Sequence, residues 1–118
     1  MLLLLADDDD ASRRMLASGL AKRGHEVIEA RNGAEAVELA RPHQPDLMLM
    51  DISMPELDGL DAWRLICELF DEPPPVIAVT GYLVRDVELT VSDLGFRALL
   101  RKPIDLDALD AEIVRHAA

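Results

Sequence analysis

Three features of this 118-residue chain predict an α/β fold built on an open, doubly wound parallel sheet. Strand-like apolar runs alternate with helix-like amphipathic stretches along the whole length. Two early runs, Leu2–Ala6 and Leu47–Met50, are continuously apolar, as strands covered on both faces are. Four runs also stop at polar residues: Asp7–Asp10 after the first, Asp51 after Leu47–Met50, Thr80 after Val76–Val79, and Arg101-Lys102-Pro103 after Ala98–Leu100.

Leu2–Ala6 reads as the first strand. A helix follows over Ser12–Arg23, with Met15, Leu16 and Leu20 expected inward and Gly24 ending it. Glu26–Glu29 is a short second strand centred on Val27 and Ile28. Asn32-Gly33 reads as a turn, and Ala34–Ala40 as a short helix ended before Pro42. Asp46–Met50 is the third strand. Asp58-Gly59 opens a helix to about Phe70, with Leu60, Trp63, Ile66 and Phe70 at core spacing. Pro73-Pro74-Pro75 leads into the fourth strand, Val76–Val79. Val84, Val87, Val91 and Leu94 repeat at helical spacing up to Gly95. Arg97–Leu100 is the fifth strand, and the last helix runs from about Asp105 to Arg115, with Leu106, Leu109 and Ile113 inward.

Five strands alternating with five helices imply right-handed crossovers in one parallel sheet. The apolar first and third strands belong inside it, and the short, charge-flanked second strand at an edge. The order is then 2-1-3-4-5, the flavodoxin-like arrangement, with ligands expected beyond the carboxyl ends of strands one and three. No internal repeat, linker or second domain is evident, so residues 1–118 read as one domain.

Composition narrows the function. The chain is 50% hydrophobic but only 3% aromatic, so the core must be aliphatic. Twelve Lys and Arg against 23 Asp and Glu give a net charge of −11, which argues against direct binding to nucleic acid or anionic membrane. Cys67 is the only cysteine, so neither an intrachain disulfide nor a cysteine zinc site is expected; it reads as a small core or boundary residue on a helix. Leu2–Leu5 is too short, and lacks the basic leader, for a signal peptide. No apolar run approaches the ~20 residues of a membrane helix, and a cytoplasmic setting is expected. His25, His43 and His116 lack metal spacing and read as surface residues.

Asp7, Asp8 and Asp51 fall together at the predicted switch point. Three carboxylates in one place repel, so without a cation at least one should have a raised pKa. Such hard oxygen donors suit Mg²⁺, with Mn²⁺ as the alternative. Asp51 is then a candidate nucleophile, since aspartyl phosphates are known covalent intermediates. Lys102 offers a positive charge and Thr80 a hydroxyl for phosphoryl oxygens, and phosphoryl transfer is mostly positioning and charge neutralisation. Asp9 and Asp10 read as caps of the first helix. An EF-hand loop starting at Asp7 is excluded, because its sixth and twelfth positions, normally Gly and Glu, are Ser12 and Ser18.

Taken together, Leu2–Asp8 with Arg13-Arg14, Pro45–Asp51, Met54-Pro55, Asp58-Gly59-Leu60, Val76–Thr80 and Lys102-Pro103 make the chain resemble the receiver domain of bacterial two-component response regulators. The resemblance covers essentially the whole length. It implies that Asp51 accepts a phosphoryl group from a histidine kinase phosphohistidine. It implies Mg²⁺ on Asp7, Asp8 and Asp51 with the backbone carbonyl of Ser53. It further implies that Thr80 follows the phosphate, that Lys102 pairs with it, and that Pro103 follows in a cis peptide that helps aim Lys102. Gly81 would permit close approach to the phosphate. Ser53 and Tyr82 hold positions that, in the family, govern water access to the acyl phosphate.

One position departs from the family pattern. Leu99 stands where an aromatic switch residue is usual, three before the lysine, and Phe96 is out of register. Output is therefore expected to depend on movement of the segment after Thr80, or the domain serves as a phosphate relay. A histidine kinase or phosphotransfer domain is expected to dock on the first helix near Ala11, Arg14 and Met15, beside Pro103-Ile104. The predicted fourth helix, strand five and last helix form the expected output face for a homodimer or a downstream protein, with Leu83, Leu89 and Leu99 as its apolar candidates. Such a module phosphorylates itself and slowly loses the phosphoryl group, and is not a turnover enzyme. An aspartyl phosphohydrolase would carry a second Asp where Ser53 stands. A degenerate, binding-only receiver would have lost an acidic residue or the lysine, and a dinucleotide-binding domain would need a Gly-rich first turn.

Overall fold

The apolar runs form the middle of a five-stranded parallel sheet, ordered β2-β1-β3-β4-β5, in a computed structural model that describes residues 1–52, 59–81 and 92–117. In chain order the elements are β1 (Leu2–Ala6), α1 (Asp10–Lys22), β2 (Glu26–Ala30), α2 (Gly33–His43), β3 (Leu47–Asp51), α3 (Gly59–Leu69), β4 (Val76–Thr80), β5 (Ala98–Arg101) and α4 (Leu106–His116). These are four helices among the described residues. The further helix predicted over Val84–Leu94 lies largely outside them, and Gly95 follows it with φ 88°, a left-handed conformation that favours glycine. No helix among the described residues is long and apolar enough to cross a membrane.

Side-chain alternation explains why β1, β3 and β4 are apolar at nearly every position. Leu4, Ala6, Met48, Met50, Val76 and Ala78 face one way, onto Ala36 and Ala40 of α2 and Ala62, Trp63 and Ile66 of α3. Leu3, Leu5, Leu47, Leu49 and Ile77 face the other way, onto Leu16 and Leu20 of α1 and Leu109 and Ile113 of α4. Both sheet faces are thus dry, and both cores are aliphatic except for Trp63 and Phe96, whose ring centroids lie 5.7 Å apart at 58°. The Trp63 indole donates to the Leu94 carbonyl at 2.8 Å, tying α3 to the approach to β5.

Several local expectations need correction. The buried face of α1 is Arg13, Leu16, Ala17 and Leu20, while Met15 is 70% exposed. At 3.6 residues per turn, Met15 points about 200° around the helix from Arg13. The helix starts at Asp10, not Ser12, because the Asp9 carboxylate accepts from the Ser12 amide at 3.0 Å as its N-cap. Asn32 is likewise the N-cap of α2 rather than a turn residue, its side chain accepting from the Glu35 amide at 2.8 Å. α2 continues through Pro42 to His43. In this last turn the proline forfeits only one intrahelical hydrogen bond, and Gln44 closes the helix by donating to the carbonyls of Ala40 and Arg41. β2 extends to Ala30 and β3 to Asp51, so Asp51 is itself part of the ladder, paired with Val79, rather than the residue just beyond it.

Two residues sit elsewhere than predicted. Cys67 is exposed on α3 rather than a core or boundary residue. His25 is not a surface residue: its side chain is only 11% exposed, and Nε2 lies 2.9 Å from the Asp110 carboxylate of α4. That contact is the main cause holding the Asp110 carboxyl below its usual range, and Arg23 adds an ion pair to Asp107 of the same helix at 2.6 Å.

Because Asn32 caps α2, Asn32→Ala should lower stability by about 1 kcal/mol, whereas Asn32→Asp should be nearly silent. Urea denaturation followed by circular dichroism checks this. Equal effects of the two substitutions would mean that the side-chain cap contributes nothing.

Candidate functional site

The site follows from the sheet register. Ala6 pairs with Met50, so the next residues, Asp7 and Asp51, leave neighbouring strands side by side. Asp51 pairs with Val79, and Thr80 with Arg101, which brings the ends of β4 and β5 to the same edge. The Lys102 amide donates to the Thr80 carbonyl at 2.8 Å, extending that ladder by one step and carrying the lysine to the acidic residues.

Asp7 is 1% exposed, Asp51 3% and Thr80 2%, while Asp8 faces solvent. Asp7, Asp8 and Asp51 each offer a carboxylate oxygen within 4.8 Å of the other two. The Lys102 ammonium donates to Asp7 Oδ2 at 3.1 Å and to Asp51 Oδ2 at 3.0 Å. The Lys102–Pro103 peptide is cis. The group contains oxygen donors only, of one sign of charge and crowded within a few ångströms. That donor chemistry fits a hard divalent cation.

Electrostatics follow from burial. Burial pushes the Asp7 carboxyl above its ordinary 3.8 and Asp51 adds to the rise, while the Asp9 amide and Lys102 oppose it. Burial pulls Lys102 down, but its hydrogen bonds to Asp51 and Asp7 outweigh this and lift it above 10.5. Lys102 is therefore an ammonium ion near neutral pH, standing between two carboxylates that would otherwise repel unscreened.

Of the other sequence-predicted residues, Gly81 is exposed at the end of β4, and a Cβ built there would meet nothing within 4 Å. Ser53 and Tyr82 lie outside the described residues, as do Leu83 and Leu89. A cleft of about 520 Å³ opens beside Lys102, with Ser12, Met15, Gly81, Pro103, Ile104 and Leu106 among its walls. Met15 and Ile104, predicted for partner docking, thus face one cavity, whereas Ala11 and Arg14 are exposed on α1 and are not among its walls. Leu99 is half-buried and packs against the core that contains Trp63 and Phe96.

The residue whose part went unread is Arg13. It is 3% exposed and donates to the Asp7 carbonyl at 3.0 Å. Its helical spacing from Leu16, Ala17 and Leu20 was the available signal, masked by the habit of placing arginine outside.

Comparison with known proteins gives the chain's family and fold. The Mycobacterium tuberculosis transcriptional regulatory protein PdtaR is 39% identical over 108 residues, which are 91% of this chain and 52% of that protein. This chain therefore spans about half the length of that relative. The polar-differentiation response regulator DivK of Brucella anthropi is 36% identical over 106 residues, 88% of this chain and 85% of DivK. In fold, the Vibrio cholerae chemotaxis protein CheY4 is similar with a TM-score of 0.89 at 23% identity, over 98% of this chain and 97% of that one. A Burkholderia pseudomallei response regulator, whose structure holds a phosphorylated aspartic acid, a calcium ion and citrate, is similar with a TM-score of 0.85 at 26% identity, over 94% of this chain and 65% of that one. The family model for the response regulator receiver domain matches residues 3–114, and the chain belongs to that family.

Proposed function

We propose that residues 1–118 act as one phosphoacceptor receiver of a two-component phosphorelay, in which Asp51 takes a phosphoryl group from the phosphohistidine of a histidine kinase or phosphotransfer domain. The observation that supports this best is the meeting of three carboxylates within 4.8 Å, two of them bridged by one ammonium. A phosphorylated aspartic acid and a calcium ion in the Burkholderia relative support the same chemistry. A cytoplasmic location goes with such partners.

In this reading an Asp51 carboxylate oxygen attacks phosphorus, the P–N bond breaks, and its electron pair stays on the donor imidazole. Asp7, Asp8, Asp51 and the backbone carbonyl of Ser53 would hold Mg²⁺, or Mn²⁺ in its place, and the ion would supply neutralisation of charge on the incoming phosphoryl group. Lys102 pairs with a phosphoryl oxygen and the Thr80 hydroxyl donates to another. Gly81 leaves room for them, and Pro103 aims Lys102. Tyr82 and Ser53 limit the approach of water to the acyl phosphate. The donor domain docks over Ala11, Arg14 and Met15 beside Ile104, at the mouth of the cleft. The face formed by the predicted fourth helix, β5 and α4 serves a homodimer or a downstream protein. With Leu99 in the aromatic position, the signal passes through the segment after Thr80 or onward as a relay. The chain is a signalling module, not a turnover enzyme, and binds no nucleic acid or membrane directly.

Incubation with acetyl phosphate and Mg²⁺ should add one phosphoryl group, mapped to Asp51 by mass spectrometry and lost in Asp51→Asn. Labelling that survives Asp51→Asn, or does not occur in the parent chain, would overturn the reading. Tyr82→Ala should change the acyl-phosphate lifetime severalfold; an unchanged decay rate removes the role given to Tyr82.

The site's charges also predict a pH profile without divalent cation. A carboxyl whose pKa is raised in the folded state costs stability as pH rises from its unfolded value of 3.8 through the raised one. Removing the ammonium enlarges that rise. Lys102→Ala should therefore lose little stability at pH ~3.5 but about 1–3 kcal/mol near neutrality, a range that allows for its partial exposure. Added Mg²⁺ should restore part of the loss. Urea unfolding at several pH values checks this, and a pH-independent loss would contradict it.

A further inference from the structure

Arg13 is the one fully buried basic side chain among the described residues. Burying a guanidinium is costly, and an apolar side chain would fill this face of α1 without that cost. Its three nitrogens instead go to three partners, one of them on α1 itself. Nη1 donates to the Asp7 carbonyl at 3.0 Å, Nη2 pairs with Asp10 at 2.7 Å, and Nε donates to Glu29 of β2 at 3.1 Å.

The Asp7 carbonyl belongs to the peptide group that joins Asp7 to Asp8. That group is planar, so fixing the carbonyl direction also fixes the direction in which the chain reaches Asp8. On its other side Asp7 is held by its amide, which donates to the Ala30 carbonyl at 3.1 Å. Asp8 is exposed, so packing does little to orient it. Arg13 touches neither carboxylate, yet it holds the backbone that sets both.

We infer that Arg13 is a positioning residue for the cation site: by clamping the Asp7–Asp8 peptide plane to Glu29 and Asp10, it presets the two acidic side chains to share one divalent ion. The inference rests on the reading that Asp7, Asp8 and Asp51 bind such an ion. Outer partners of metal ligands change affinity by about 10–100-fold when removed.

The test is Mg²⁺ titration of the whole chain by calorimetry, with the Asp8 backbone amide followed by NMR. Arg13→Met keeps an apolar stem of similar length without the donors, and Arg13→Lys keeps the charge without the three-way fork. Arg13→Met should raise the Mg²⁺ Kd about tenfold or more and shift the Asp8 amide resonance before any metal is added. Arg13→Lys should recover little of that affinity, and Glu29→Gln should weaken binding less than Arg13→Met. A purely structural Arg13 would lower the urea midpoint while leaving the Mg²⁺ Kd and the Asp8 resonance at their parent values, and that result overturns the inference. If Arg13→Met does not fold, Arg13→Lys decides: a Kd raised severalfold supports the role and a parent-like Kd overturns it. A parent chain with no Mg²⁺ response, or one whose response survives Asp8→Asn with Asp51→Asn, removes the cation site itself and the inference with it.

Discussion

Two carboxylates on adjacent parallel strands cannot both stay charged and dry unless a cation stands between them. The spacing is set by the sheet, in which neighbouring strands lie about 4.8 Å apart, so Asp7 and Asp51 cannot retreat from one another. Lys102 answers that constraint in the protein as it stands, reaching both with one ammonium. The lysine arrives from β5, two strands away from β3, only because the Lys102 amide continues the ladder on the Thr80 carbonyl. The electrostatics of the site are therefore a property of the pairing of four strands. A slip of one residue in any of them would move a side chain by about 3.3 Å and turn it to the other face.

What forbids such a slip is the double-sided core. Even-numbered residues of β1, β3 and β4 pack on α2 and α3, and odd-numbered ones on α1 and α4. A shifted strand would place Met48 and Met50 where Leu47 and Leu49 fit, and the helices on both sides would have to repack. With Trp63 and Phe96 the only aromatic rings among the buried described residues, and Phe70 packed at their margin, register is enforced by many aliphatic contacts rather than by a few large anchors. The helix entrances contribute as well. Asp9 and Asn32 cap α1 and α2 at the carboxyl ends of β1 and β2, and the first of these caps holds the turn that carries Asp7 and Asp8.

Strand positions and the acidic site were legible because each rests on a local, one-dimensional signal. Leu2–Ala6 and Leu47–Met50 are continuous apolar runs, and a run that ends in Asp places that Asp at the sheet edge whatever else the chain does. Helix faces were less legible, because the face of α1 is decided by partners remote in sequence. Arg13 turns inward to meet Glu29, and Met15 turns outward as a consequence. His25 was misread for the same reason: its burial comes from Asp110, 85 residues away. Asn32-Gly33 and Pro42 were misread locally, where one residue type serves two ends. Asn suits a turn and a helix cap equally, and Pro stops a helix interior but is tolerated in its last turn.

The crowding of charge at one sheet edge also explains why the scaffold must be so apolar elsewhere. Repulsion and burial at Asp7 and Asp51 oppose folding when no counter-charge reaches them, by about a few kcal/mol. Fully burying one leucine or isoleucine offsets about 1.5–3 kcal/mol. Leu3, Leu4, Leu5, Leu47, Leu49 and Ile77 lie wholly inside on just three strands. A sheet with a solvated face would carry about half as many such side chains and hold its acidic edge less firmly. The all-apolar strands and the acidic strand ends are thus one arrangement: the dry interior on both faces supplies the rigidity that keeps like charges close together.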